Sequence, residues 1–451
     1  MYTDEDIKDL AIKVLQKLEQ KLNLKEAEVY IQSLSHMLGG NEYRTPKVYQ
    51  SINREGCAIR YYKDNKLYFA CFPLRTVLTD IEKITSVTTF PIECKKFDFP
   101  EIKMTQGEIS KIYDKRIASM NEEEIYTLSY SMSDTDENIE DIILDGSIRL
   151  SLERKAIANT TYSIAFEKST WCDIDLRALY RGYNMISSAE KHLTSRQIPS
   201  SVSSIVEDLV NETIRRSTMI DNIPDLEVPI IFSPMALSQI FSFTIIPKLI
   251  STEDFSIQKT VFSDNFSLID DGTVPGLPNS TAFDDEGVSQ SRTSVIRDGD
   301  FESVLNNSQN LMDSEERSGN SFRVKMFEVF PRSYQAYPEI YPSNMIIKEG
   351  TISLEDYFDE IKNCILINST QGYMTADYHS GTFKISANDA YIVEQGSITG
   401  ALPTFDVLGN MINLLQKDPI FLKERKVVRP INTPYSILAP YLVTKETTIF
   451  P

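Results

Sequence analysis

Residues 266–293, FSLIDDGTVPGLPNSTAFDDEGVSQSRT, crowd carboxylates, glycines, prolines and hydroxyls together without any hydrophobic period. Gly272, Pro275, Gly276 and Pro278 interrupt every turn that a helix would need. The segment must therefore be a long ordered loop that feeds a strand. Loops of that length inside a compact domain are functional or disordered, so the fold has to be read around this one.

On either side the apolar periods are regular. Thr3 followed by Asp6 predicts a helix start, and Ile7, Leu10, Ala11, Val14, Leu15, Leu18 and Leu22 continue it as one stripe. EAEVYIQSL and GCAIRYYKDNKLYFACF predict strands, the second a hairpin turning at Asp64-Asn65. A helix near Thr76–Thr85, helical character over 106–130 and long antiparallel strands over 140–170 are expected next. A helix over about Val202–Thr218 follows, with Ile205, Leu209 and Ile214 on its face. Composition shifts at NIPDLEVP, residues 222–229. Beyond it come the strand VPIIF, an amphipathic helix, the long loop, and a polar stretch over 304–321 read as loop or short helix. A hairpin turning at Gln395-Gly396, a helix over about Phe405–Leu415 and the strand YSILAPYLVT complete the pattern. The expected fold is α+β in two domains. Residues 1–222 form a helix-and-hairpin domain, and residues 223–451 an antiparallel, β-rich one.

Composition excludes several classes. A net charge of −19 with no compensating Lys/Arg stripe disfavours nucleic-acid binding. No apolar run approaches the roughly 20 residues that cross a bilayer, so no membrane partner is expected. MYTDEDIKDL is acidic and helix-forming, unlike a signal or transit peptide, which predicts a cytoplasmic chain whose five cysteines stay reduced. CxxC, G-x-S-x-G, GxGxxG and Walker A patterns are absent.

The run SLIDDGTVPGLPNSTAFDDEGVSQSRTSVIRDGDFESVLNN resembles the central signature of the TldD/PmbA family of paired metalloprotease subunits. SNMIIKEGTISLEDYFDEIKNCILI, TADYHSGTFKISANDAYIVEQGSITG and LGNMINLLQKD are similar to later family segments in the same order. EGCAIRYYKDNKLYFAC is similar to the family's Gly-x-x-Ile-Arg strand pair. The resemblance implies a catalytic subunit that binds zinc through a His-Glu-x-x-x-His helix and a late cysteine. The equivalent helix here is SPMALSQIFSFTIIPKLI, residues 233–250, which has no His, Glu, Asp or Cys. No cysteine lies beyond Cys364. The chain thus resembles the PmbA/TldE branch. That implies no cofactor in this chain, zinc in a TldD-like partner, and a heterodimer with that partner or a homodimer. Extended or unfolded peptides would be the substrates. A self-sufficient metallopeptidase with a divergent site at His379 and a stand-alone homodimeric peptide-binding protein are the alternatives.

Two groups of residues are candidates for contact with a peptide groove. Asp284, Asp285, Glu286 and Gly287 lie in the signature, where aspartates also serve to brace irregular turns. With Asp270 and Asp271 they lack calcium-loop spacing; lining a groove, they would select basic peptides. Tyr378, His379 and Gly381 lie between a loop and a strand, where an imidazole could transfer a proton or simply be hydrogen-bonded. His36 and His192 are expected near element ends with no carboxylate around them.

Overall fold

A computed structural model describes the chain except residues 1, 43–44, 85–90, 95, 103–108, 134–140, 162, 183–185, 219, 221–227, 312–315, 326–330, 431–432, 446 and 451. The N-terminal half is one seven-stranded antiparallel sheet. Its strands are β1 (Ala27–Glu42), β2 (Thr45–Lys63), β3 (Lys66–Pro73), β4 (Ile92–Glu93), β5 (Ile142–Asn159), β6 (Ile164–Arg181) and β7 (Ile186–Ser195). They run in the order β4-β3-β2-β1-β5-β6-β7. Asp64 and Asn65 both take positive φ, the pair of left-handed residues that a two-residue β2–β3 turn requires.

Helix α1 (Asp4–Leu22) starts where Thr3 and Asp6 cap each other reciprocally. It lays Ile7, Ala11, Val14, Leu15 and Leu18 on Val29 and Ile31 of β1 and Ile59 of β2. After the short α2 (Val77–Asp80), the expected helix over 106–130 is broken in two. Among described residues it becomes α3 (Lys115–Ser119) and α4 (Glu122–Ser131), separated by extended Met120 and the N-cap Asn121. Helix α5 (Val202–Arg216) buries Val202, Val206, Leu209, Val210 and Thr213. Its face differs from the expected one, since Ile214 is exposed.

The C-terminal half is built on a twelve-stranded sheet. Its strands are β8 (Ile230–Phe232), β9 (Leu268–Asp271), β10 (Arg292–Arg297) and β11 (Asp300–Phe301), then β14 (Asn344–Ile347) to β21, with a separate ribbon of β12 (Ser321–Arg323) and β13 (Pro338–Ile340). The later strands are β15 (Cys364–Gln371), β16 (Thr382–Glu394), β17 (Ser397–Ala401), β18 (Phe405–Asn410), β19 (Ile420–Val428), β20 (Ser436–Thr444) and β21 (Thr448–Phe450). The path is β11-β10-β9-β14-β20-β8-β15-β16-β18-β21, with β17 on β16 and β19 on β20. Pairing is antiparallel except β14 with β20 and β8 with β15. Helices α6 (Pro234–Thr244), α7 (Ile246–Ile250), α8 (Leu354–Ile361) and α9 (Met411–Gln416) pack on it.

The helix expected over Phe405–Leu415 is half strand. Phe405 and Val407 alternate inward along β18, and the helix starts only after Asn410, whose side chain accepts the Asn413 N–H at 3.0 Å. The amphipathic helix expected after VPIIF is α6, buried on nearly every side rather than on one. The expected boundary at 222–223 lies outside the described residues. No helix among the described residues is long and apolar enough to cross a membrane.

Candidate functional site at the seam between the two sheets

Strand periodicity decides where the charges go. Alternation sends Val29, Ile31 and Ile59 under α1, so Glu28, Tyr30, Gln32, Ala58 and Arg60 point from the opposite face of the sheet. That face meets the signature loop of the C-terminal half, with Tyr30, Ala58 and Ile157 packed against Phe283. Arg60 sits opposite Glu28 in the β1–β2 register and grips it twice, Nε at 3.0 Å and Nη2 at 2.6 Å. Its Nη1 donates to Glu286 Oε1 at 2.7 Å, across the seam. Arg323, on β12, reaches back to Glu28 at 2.8 Å. Both guanidiniums have no exposed surface.

A second cluster adjoins the first. Lys155 Nζ donates to the Phe283 carbonyl at 2.9 Å and to Asp285 Oδ1 at 3.3 Å. Arg332 lies 3.6 Å from Asp285 Oδ2, which also accepts the Arg323 backbone N–H at 2.8 Å. Glu167 accepts from Thr281 Oγ1 at 2.7 Å and from the Ala282 N–H at 2.5 Å. Asp284 Oδ1 accepts the backbone N–H groups of Glu286 and Val288, and Oδ2 that of Ser321. Gly287 has φ +84°, and a Cβ there would stand 2.8 Å from Ile102, so glycine is required on both counts.

The electrostatics follow from this geometry. Burial alone would raise all three loop carboxyls. At Glu286 the Arg60 guanidinium and the Ser308 N–H outweigh burial and hold the group below the usual carboxylate range. At Asp285, Lys155 and Arg332 do the same. Among the described residues no cation pairs with Asp284, so burial and the neighbouring Glu286 charge push it well up. The three carboxyls are at most 2% exposed and bonded to groups of their own chain. They face the seam and do not line an open groove that would select basic peptides. Their bonds fix the irregular loop and join it to the N-terminal sheet.

Tyr378, His379 and Gly381 are not part of this cluster. They lie in the turn before β16, with His379 exposed, Tyr378 half-buried and Gly381 buried, and the Tyr378 and His379 rings stack with centroids 4.0 Å apart. The imidazole is 67% exposed, with Nδ1 3.8 Å from Asp254. Gly381 takes φ +78° and its carbonyl accepts the Met411 N–H. The other two histidines depart from expectation, standing within strands rather than at element ends. His36 on β1 contacts Ser151 at 2.8 Å, and burial lowers it to about 4. His192 on β7 does have a carboxylate, Asp175 at 2.6 Å, which raises it.

Helix α6 is the place where the family resemblance puts a zinc-binding helix. Ser233 caps it, accepting the Met235 and Ala236 N–H groups at 3.2 Å. Gln239 Oε1 accepts from Thr370 N and Oγ1. Ser242 and Thr244 donate back to Ser238 and Ile240 carbonyls within the helix. The buried Ser238 hydroxyl has no partner, but a lone hydroxyl is no zinc ligand. Zinc takes imidazole, thiolate or carboxylate donors, and α6 supplies none. Among the described residues no three His, Cys, Asp or Glu side chains converge to hold a metal ion. The donor set of α6 does not fit zinc.

Residues 226–450, which contain this loop, α6 and the whole twelve-stranded sheet, match the PmbA/TldA metallopeptidase C-terminal domain. The chain belongs to the PmbA/TldD family. An uncharacterized protein of Methanocaldococcus jannaschii is 23% identical over 355 residues, 76% of this chain and 79% of that one. A metalloprotease of the same organism is 30% identical over 159 residues, 35% of this chain and only 33% of its own length. The fold matches that of TldE from Thermococcus kodakarensis with a TM-score of 0.84 at 21% identity, covering 98% of this chain and 100% of that one.

Within this PmbA/TldD fold, sequence reasoning found the acidic half of the seam and missed its cations, Arg60, Lys155, Arg323 and Arg332. One signal was available. Arg60 and Glu28 share the face of Ala58 and Tyr30, whose apolar bodies suit a covered surface, and charges on a covered face occur only when paired.

Proposed function

We propose that this chain is the PmbA/TldE-like, non-catalytic subunit of a TldD/TldE-type zinc metalloprotease. Its TldD-like partner would carry the zinc, both would work in the cytoplasm, and unfolded or extended peptides would be the substrates. The observation that carries this reading is α6. Where the family resemblance expects imidazoles and a carboxylate, the helix has only apolar, hydroxyl and amide groups, and most are packed inside the sheet's core. Likeness to the TldE fold supports the same branch.

Hydrolysis would then belong to the partner, whose zinc would supply an activated water. This chain contributes walls and dimer surface to the assembly. A peptide held as an added strand gains main-chain hydrogen bonds whatever its side chains, which suits the processing of unfolded chains. Co-expression with a protein bearing His-Glu-x-x-x-His tests the proposal. The expected result is a copurifying pair that cleaves an unstructured peptide, while this chain alone does not. Cleavage by this chain alone would move the site to a divergent constellation. Peptide binding by a homodimer that never retains such a partner would make it an adaptor.

A further inference from the structure

The second place where the halves meet is the end of α5. Arg216, its last residue, donates to the Asn388 carbonyl of β16 and lies 3.6 Å from Asp389. Thr218 and Ile220 then exchange backbone hydrogen bonds with Ala401 of β17. One turn before the helix ends, Glu212 faces the same strand. Its carboxyl and that of Asp389 lie within hydrogen-bonding reach of each other. The Asn368 amide spans both, 3.3 Å from Glu212 Oε1 and 3.3 Å from Asp389 Oδ2.

Counter-charge is short here. Lys191 of β7 faces the pair but lies 3.6 Å from Asp208 of α5, and Arg216 is turned to Asp389. Among the described residues Glu212 has no cation at ion-pair distance. Asp389 is 6% exposed, and the Tyr391 hydroxyl, 2% exposed, lies within hydrogen-bonding reach of its carboxyl but brings no charge. Two adjacent carboxylates with Arg216 close to only one of them and Lys191 shared with Asp208 do not both ionise cheaply, whereas a shared proton satisfies the pair.

We propose that a proton held between Glu212 and Asp389 latches the end of α5 to β16, and that losing it as pH rises to neutrality loosens this contact between the halves. Burial and the Asp389 charge raise Glu212 from 4.5 to about 7. The latched form thus binds a proton that the open form releases. Its stabilisation is complete below about 4.5 and disappears as pH rises through about 7.

Hydrogen exchange of peptides from 202–216 and 382–394, corrected for intrinsic exchange rates, reads the opening directly. In the full chain, opening is expected to increase with pH by up to roughly tenfold per unit between about pH 5 and 7, then level off. Glu212→Gln should remove that slope at both segments while leaving exchange across β1 and β2 unchanged. Asp389→Asn, which removes the neighbouring charge and leaves Glu212, should move the midpoint downward. A wild-type chain with no slope would overturn the proposal. So would a Glu212→Gln chain that follows the wild-type profile, or an Asp389→Asn chain whose midpoint does not move.

Discussion

Arg60 is the residue on which the seam turns. It holds Glu28 within its own sheet and Glu286 from a loop 226 residues away, with Phe97, Phe99 and Tyr337 rings 5.6–5.8 Å from its guanidinium carbon. A buried pair is weak evidence of net stability, but losing one member leaves a charge with no solvent and no partner. Arg60→Met leaves the buried Glu286 without its cation and Glu28 with Arg323 alone, and urea unfolding should show a loss of about 3–5 kcal/mol. Arg60→Met combined with Glu286→Gln should recover part of it, since Glu286 is then uncharged while Glu28 keeps Arg323. Asp270 makes the second residue-scale prediction. It accepts from Ser343 N and Oγ and from Asn320 Nδ2, yet burial raises it to about 7. A carboxyl raised above its unfolded value of 3.8 contributes fully below that value and loses its contribution as pH rises through 7. The stability gap between wild type and Asp270→Asn should therefore narrow from pH 5 to pH 8, whereas parallel profiles would contradict the raised value. The bracing role of the loop aspartates was legible in DDEG because turn chemistry is local. Their cations were hard to find, because Arg60, Lys155 and Arg332 pair with the loop from distant elements, where no turn or period names the partner.

At the scale of elements, legibility follows the same division. The α1 capping box and the left-handed turns at Asp64-Asn65 and Gln395-Gly396 are set by neighbouring residues, and each stands where the sequence placed it. Failures occur where tertiary packing overrides the local period. Phe405–Leu408 alternates as a strand only because β16 on one side and β21 on the other pair with it. Helix α6 could be read as amphipathic because Ser238, Gln239, Ser242 and Thr244 are polar, but all four are buried, and Gln239, Ser242 and Thr244 make hydrogen bonds that allow it. Asn410 joins two elements, ending β18, capping α9 and donating to the Ser380 carbonyl at 2.7 Å. Asn410→Ala should cost about 1–2 kcal/mol in thermal or denaturant unfolding, with Asn410→Asp retaining the cap and losing less.

Across the whole molecule, two of the contacts that join the sheets differ in character. One is a network in which nearly every charge has a counter-charge or a backbone donor, so it holds the signature loop in a single shape. The other is the carboxyl pair at the end of α5, satisfied only while it keeps a proton. Family membership rests on the C-terminal sheet and its loop, which the sequence displayed through several weak motifs in a fixed order, while the fold match spans both halves. The subunit role rests on chemistry missing from one helix. The measurement closest to that claim is zinc content, by mass spectrometry of metals, of this chain purified alone and with a His-Glu-x-x-x-His partner from the same zinc-supplemented cells. The account predicts no stoichiometric zinc in the chain alone and about one ion per pair in the complex, lost when the partner's histidines are replaced. One tightly held zinc ion per copy of this chain, purified without a partner, would contradict it.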